Sequence, residues 1–361
     1  MPKLDDGHTQ TLKRDIVVIG ASAGGVEALI TVIRNLPAEL PAAIFIVLHV
    51  APFGGGNLPA ILARHGKLPV MHPADGQSIE HGRVYIAAPN THMLVKPGFI
   101  RVTDGPKENG FRPAVDPLFR SAARAYETRV VGVILTGTLD DGTAGLHTVK
   151  YHGGLSIVQD PADALFSSMP QSAIENVQVD WIVPVSGIGQ AIAQLVMDTA
   201  DGEIILFNKS EIQDEVVEID PIKTGHGPQP GTPSGFTCPE CHGPLWEIEE
   251  GDLLRYRCHI GHAYSVKSLA AANSEALDAA IWTAVRSLEE KVAIGHSLAS
   301  RARERGHVVA QAQFESDLRD AEKHLYVLKG LLKEDRWRAP ELAPTDLPET
   351  DPVPGRSALS S

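Results

Sequence analysis

Short apolar runs that do not alternate with polar residues set the tightest limit on how this chain folds. IVVIG (16–20), AIFIVLH (43–49), RVYIAAP (83–89), VVGVILTG (130–137) and GLSIVQD (154–160) recur through the first half, separated by segments such as VEALITVIRNL whose apolar residues fall at helical spacing. A strand with one wet face alternates, so runs such as VVGVIL suit strands covered on both faces, as in a parallel sheet flanked by helices. The expected fold class is therefore α/β, a doubly wound and mainly parallel sheet, in which ligand sites gather at the C-terminal ends of the strands. With 361 residues, of which 43% are hydrophobic, the chain can bury a substantial core and form more than one domain.

The pattern breaks after residue 198. The stretch 207–235 is acidic and then rich in Pro and Gly, and reads as a linker. A small Cys/His segment follows at 236–265, then a charged amphipathic stretch at 270–335. In its first half Leu277, Ile281, Val285, Leu288 and Val292 recur at spacings of three and four, and in its second half Phe314, Leu318, Ala321, Leu325, Leu328 and Leu332 do the same. With Gly306 at a plausible turn between them, the expectation is an antiparallel helical hairpin or a coiled-coil arm. Residues 337–361 are Pro-rich and read as a disordered tail. The first part of the parallel-sheet pattern sets a domain at 14–198.

Charge and hydropathy exclude some partners. A formal net charge of −13 argues against non-specific binding to nucleic acid, which relies on clustered Lys and Arg. No apolar run approaches the roughly 18–20 residues needed to span a bilayer, and MPKLDDGHTQTLKRD lacks the apolar core of a secretory signal. A soluble cytoplasmic protein without direct membrane insertion is expected. Its oligomeric state is not legible.

Three strand ends carry candidate chemistry. Gly20-Ala21-Ser22-Ala23-Gly24-Gly25 follows the first strand and opens a helix. Small neighbours let the chain turn sharply and expose the Ser22 hydroxyl, with backbone N–H groups pointing outward. The same turn could bind a phosphate or dinucleotide, although its glycines do not fit G-x-G-x-x-G. His49 ends the next strand, where neighbouring strand ends of a parallel sheet place it near Ser22. His65, His72, His81, His92, His147 and His152 are competitors. Asp140 and Asp141 lie in the loop after VVGVIL, where a carboxylate would orient and charge-stabilise an imidazole, or simply form an Asp-Gly turn.

GASAGGVEAL, IVLHVAP, GRVYIAAPNTHMLV, RPAVDPLFRSAA, LTGTLDDGTAG and QDPADALFSSMPQSA occur in the order seen in the CheB-type methylesterase domain, which most of residues 14–195 resembles. The resemblance implies a serine hydrolase with Ser22 as nucleophile, His49 as base and Asp141, rather than Asp140, as the group that orients it. Implied too is hydrolysis of glutamate γ-methyl esters on chemoreceptor helices, extending to deamidation of glutamine, with no cofactor for catalysis and backbone N–H groups of Ala23 and Thr138 at the oxyanion. The family usually shows Thr after the nucleophile and Met-Gly in the aspartate loop, where this chain has Ala23 and Thr138-Leu139. Only about 14 residues precede the first strand, so the resemblance is to stand-alone forms without a receiver domain. Their implied partners are methylated chemoreceptor-like proteins or sensory kinases. A signalling adaptor that keeps the fold without turnover, and a nucleotide-binding domain that reuses the Gly-rich turn, are the competing readings.

All three cysteines fall in one short stretch, which reads better as a metal site than as a disulfide framework. Cys238-Pro-Glu-Cys241 and Cys258-His-Ile-Gly-His262 flank a hairpin-like segment, a zinc-ribbon-like pattern. Cys238, Cys241, Cys258 and His262 would complete a tetrahedral structural zinc site, with His259 competing for the fourth position and a metal-free module as the alternative. The helical arm either packs within this chain or docks onto helices of a receptor or kinase.

Overall fold

The computed structural model describes residues 13–50, 57–197, 231–250 and 253–333. Most of the linker expected at 207–235, and the tail expected at 337–361, lie outside the described residues. So do Ala51 and Pro52.

The described chain opens with β1 (Ile16–Ala21), α1 (Gly25–Arg34), β2 (Ala43–Leu48), α2 (Leu58–Ala63), β3 (Val70–Met71) and β4 (Arg83–Ile86). It continues with β5 (His92–Lys96), β6 (Phe99–Thr103), α3 (Val115–Tyr126), β7 (Val130–Ile134), α4 (Thr143–Tyr151), β8 (Leu155–Gln159), α5 (Ser168–Asn176), β9 (Trp181–Val183) and α6 (Val185–Met197). Seven of these strands form one sheet in the order β3-β4-β2-β1-β7-β8-β9. Every pairing in it is parallel. The α/β doubly wound sheet read from the sequence is the observed fold, with β5 and β6 forming a separate antiparallel ribbon.

The reason for continuous apolar runs is visible in β1. Val17 and Ile19 join a core cluster with Leu29, Val32 and Ile33 of α1 and Ile188 and Ile192 of α6. Ile16 and Val18 join the opposite cluster with Leu118 and Phe119 of α3 and Leu146 of α4. Both faces of the strand are dry, so no position on it is free to be polar. Each such side chain contributes roughly 1.5–3 kcal/mol when fully buried.

Four further strands, β10 (Thr232–Thr237), β11 (Pro244–Glu250), β12 (Leu253–Cys258) and β13 (Ala263–Ser265), form an antiparallel sheet in that order. The expected hairpin around residues 245–257 is β11–β12, with Leu245 opposite Cys258 and Glu250 opposite Leu253. β13 runs into α7 (Val266–Glu304), and α8 (Val308–Lys333) follows. The chain divides into two compact units between Leu269 and Ala270, and the first unit takes in both sheets.

Within the second unit α7 and α8 are antiparallel. Ion pairs join Lys329 to Glu289 and Arg303 to Glu315, and His296 Nε2 lies 3.6 Å from Glu322 between them, a constant register. Val285 and Ala321 of the apolar stripes are buried, and Gly306 makes the turn with a positive φ of 69°. Leu277 is exposed at 41%. Extending the register opposite Leu277 runs past Lys333, the last described residue of α8.

Inside the first unit, the two sheets share a buried charge cluster. The Glu108 carboxylate, on the loop before α3, accepts from Arg120 of α3 at 2.6 and 2.7 Å and from Arg255 of β12 at 2.9 Å. Burial would push the Glu108 carboxyl up, but the two guanidiniums outweigh it and hold the group far below its ordinary 4.5. Because the folded value lies below the unfolded one, this contribution to stability is complete above about pH 4.5 and drains away as pH falls. Glu108→Gln leaves two buried guanidiniums short of their counter-charge. A loss of about 3–5 kcal/mol is expected, read as a lower thermal midpoint at pH 7, with a flatter acid dependence below pH 4.5 than the wild type shows.

Candidate active site

The turn at the end of β1 is built from small residues because side chains crowd it: a Cβ on Gly20 would strike Val115, and one on Gly25 would strike Leu48 and Ala21. Ser22 N–H donates to Thr136 O at 3.0 Å, His49 N–H to Ala21 O at 3.1 Å, and Leu135 N–H to Gly20 O at 2.9 Å. The ends of β2, β1 and β7 are thereby tied side by side. Gly24 caps the start of α1 with a φ of 73°, a left-handed backbone that a Cβ would strain.

Those tied strand ends bring Ser22, His49 and Asp141 into one hydrogen-bonded chain. The His49 Nδ1 lies 3.1 Å from Ser22 Oγ, and its Nε2 lies 2.7 Å from Asp141 Oδ2. An ionised carboxylate only accepts, so Nε2 carries the proton and the Nδ1 lone pair faces the serine hydroxyl. The Phe111 ring stacks on the imidazole at 3.7 Å between centroids and 6° between planes. His49 is therefore held by one hydrogen bond at each nitrogen and one aromatic face, with its side chain only 4% exposed.

Asp141 is fully enclosed and heavily donated to. Oδ2 accepts from His49 and from the Val115 N–H at 2.6 Å, and Oδ1 accepts from Asn109 Nδ2 at 2.8 Å and the Asp116 N–H at 3.2 Å. Burial alone would raise its pKa. The His49 hydrogen bond and charge, then the Val115 and Asn109 donors, outweigh burial and hold it low. Neighbouring Asp116 goes the other way, pushed up to about 7 by burial and by the Asp141 charge beside it. Asp116 still receives the Gly142 and Gly145 N–H groups at 3.0 and 2.7 Å on Oδ1. Asp140 faces elsewhere, accepting from Ser265 Oγ at 2.7 Å.

Several competing histidines have other partners. His72 bonds Ile86 O, His92 bonds Pro106 O, His65 faces Arg34, and His81 pairs with Asp15. Thr138 is exposed and Ala23 half-buried. Gly137, in the same loop as Thr138, packs directly against the serine. A Cβ there would strike the Met169 sulfur and the Ser22 side chain, and its own N–H is committed to Phe166 O at 2.9 Å. Asn109, Phe111, Asp116 and Gly137 are site residues that sequence reading missed. Asn109-Gly110 reads as a turn and Asp116 as an ordinary first-turn acid of a helix.

The arrangement can move a proton from a hydroxyl to an imidazole while a fixed anion stabilises the cation that forms. A second cluster lies in the four-stranded sheet. One donor atom each from Cys238, Cys241, Cys258 and His262 lie within 4.8 Å of one another, so the group could hold a metal ion. Cys241 and Cys258 Sγ are 3.6 Å apart, and His262 Nδ1 is 3.6 and 3.4 Å from Cys238 and Cys258 Sγ. Those spacings match the edges of a tetrahedron with metal–sulfur and metal–nitrogen bonds of about 2.3 and 2.0 Å, and are far too long for a disulfide. His259 lies beside Trp246 instead. Burial pushes the Cys258 thiol up to about 12, with the neighbouring Cys238 adding to the effect.

Comparison with known proteins gives this geometry a family. Residues 17–192 match the family model described as CheB methylesterase. A protein-glutamate methylesterase/protein-glutamine glutaminase 2 of Anaeromyxobacter dehalogenans is 39% identical over 191 residues, which are 53% of this chain and 56% of the relative. This chain thus spans little more than half the length of that relative. A putatively assigned protein of the same description from Leptospira interrogans is 37% identical over 182 residues, 50% of this chain and 94% of the relative. The crystal structure of the Thermotoga maritima CheB methylesterase catalytic domain is 36% identical, with a TM-score of 0.49, covering 50% of this chain and 98% of that one. Through a shared segment that makes up almost the whole of the Leptospira relative, this chain belongs to the CheB methylesterase family.

Proposed function

We propose that the chain is a protein-glutamate methylesterase in which Ser22 is the nucleophile, His49 the general base and Asp141 the residue that orients it. The observation that carries this reading is the unbroken series Ser22 Oγ, His49 Nδ1, His49 Nε2, Asp141 Oδ2, with links of 3.1 and 2.7 Å. Ser22 Oγ attacks the γ-acyl carbon of a methylated glutamate as its proton passes to His49 Nδ1. Asp141 stays ionised and stabilises the imidazolium. Collapse of the tetrahedral adduct breaks the bond to the methoxy oxygen, which takes the proton from His49 and leaves as methanol. Water then adds to the acyl-enzyme by the same route and frees Ser22. Backbone N–H groups at Ala23 and Thr138 are assigned to the developing oxyanion. A glutamine side chain fits the same sequence with ammonia leaving.

The protein partner in this reading is a methylated chemoreceptor-like protein or a sensory kinase, met in the cytoplasm. Among the described residues no helix is long and apolar enough to cross a membrane. The metal assigned to Cys238, Cys241, Cys258 and His262 is zinc, which favours a tetrahedral sulfur and nitrogen set. All four donors come from protein, so the ion would brace the small sheet and take no part in the hydrolysis.

Methanol release from a receptor methylated by the host's own methyltransferase tests the chemistry. Ser22→Ala is expected to abolish it, and Asp141→Asn to lower kcat by about 10⁴-fold through loss of the correct imidazole tautomer. Wild-type protein that binds methylated receptor and releases no methanol would favour an adaptor. For the metal, elemental analysis should find one zinc per chain. Chelation or Cys258→Ser should remove it and lower the thermal midpoint without adding or deleting a reacting group.

A further inference from the structure

We propose that Asn109 is a positioning residue for the triad and that Ser265 and Ser268, at the exit of the Cys/His sheet, hold it in place. The small sheet is then a working part of the hydrolase and not an appended module. This inference rests on the reading of Ser22, His49 and Asp141 given above.

Asn109 is 4% exposed and has a positive φ of 52°, a backbone state that Asn tolerates better than most residues. All four hydrogen-bonding capacities of its side-chain amide are used. The NH₂ group donates to Asp141 Oδ1 at 2.8 Å and to Asp116 Oδ2 at 3.0 Å. The carbonyl accepts from the Ser265 N–H and from Ser268 Oγ, each at 2.9 Å. Two carboxylates on one side and two donors on the other leave a single orientation for the amide. Its nitrogen faces the catalytic carboxylate, and its oxygen faces the second sheet.

The serines that grip the oxygen are themselves locked. Ser265 Oγ accepts from the Ser268 N–H at 2.9 Å, and Ser268 Oγ accepts from the Ser265 N–H at 2.8 Å. This is the reciprocal arrangement of a capping box at the start of α7. The Ser265 hydroxyl proton goes to Asp140 Oδ1, on the residue adjoining Asp141. The backbone adds two ties, Asn109 N–H to Ala263 O at 2.7 Å and Ala263 N–H to Lys107 O at 3.3 Å. Helix capping, strand pairing and the orienting carboxylate of the triad therefore meet in one amide group. Loss of the Asn109 donor leaves Asp141 Oδ1 held only by the longer 3.2 Å bond from the Asp116 N–H, and loosens with it the Nε2 anchor of His49. Small displacements of this sort cost up to about 10²-fold in rate.

The test uses the full chain and an alkyl fluorophosphonate, which needs no receptor. A bond forms between Ser22 Oγ and phosphorus, fluoride leaves, and the hydroxyl proton passes to His49, so the maximal labelling rate reads the triad directly. Wild type should label at Ser22 and Ser22→Ala should not. Asn109→Ala is expected to lower the maximal rate about 10- to 100-fold, and Ser268→Ala about 3- to 10-fold, the worth of one hydrogen bond. In both, the reagent concentration for half-maximal rate should stay within about twofold of wild type, a split that general loosening of the fold would not give. If Ser268 acts through Asn109, Ser268→Ala should add nothing in the Asn109→Ala background. Should Asn109→Ala fail to fold, Ser268→Ala alone carries the test. A wild type that does not label at Ser22 overturns the triad reading itself. Normal labelling of wild type with an unchanged maximal rate in Ser268→Ala, or fully additive effects in the double variant, overturns this inference and leaves the triad standing.

Discussion

A carboxylate that is 1% exposed and ionised must be compensated on every lone pair, and Asp141 shows what that demands of a fold. Its four donors come from the end of β2, the loop before α3 and the first turn of α3. None of these is near Asp141 in sequence. The β7–α4 loop, the segment 108–116 and the strand ends must therefore all be in place before the charge can be buried. The reverse also holds, because a buried anion short of donors would be expelled or protonated. Folding of the site and ionisation of Asp141 are one event.

The neighbouring acids show how much charge the interior carries. Asp116 touches the same environment, and two adjacent anions in a dry site repel, so its pKa rises where that of Asp141 falls. Glu108 is kept ionised by Arg120 of α3, which packs on the parallel sheet, and by Arg255 of β12 in the small sheet. Arg255 also lies 3.8 Å from Asp116. The two sheets of the first unit are thus joined by a mixed cluster of acids and guanidiniums, an attachment specific in geometry and costly to break from one side.

Much of this was legible in the sequence where a local pattern has one physical cause. Continuous apolar runs mean strands dry on both faces, and β1 sends Val17 and Ile19 one way and Ile16 and Val18 the other. Parallel strands put their chain ends together, which made Ser22, His49 and the Asp140-Asp141 pair candidates, and the resemblance to the CheB-type domain singled out Asp141. Cys and His spacing identified a donor group that the fold gathers, with His259 turned away toward Trp246. What was not legible depends on contacts between distant segments. Nothing local marks Asn109 as the partner of Asp141 and Ser268, since Asn-Gly is turn vocabulary in any protein. Gly137 looks like one more loop glycine until the Ser22 and Met169 side chains are set against it. Leu277 fits the helical stripe by periodicity yet is exposed, because spacing predicts a face and says nothing about what covers it.

The strand order has an evolutionary corollary. The three strands that present Ser22, His49 and the aspartate loop are the central ones, β2-β1-β7, with β4 and β3 on one flank and β8 and β9 on the other. The flanking strands make no hydrogen bond among Ser22, His49 and Asp141. Connecting loops that touch neither the segment 108–116 nor the Phe166 turn against Gly137 can lengthen, shorten or change character while Ser22, His49 and Asp141 keep their spacing. Descendants of such an architecture have room to diverge in whom they recognise long before they lose what they can do.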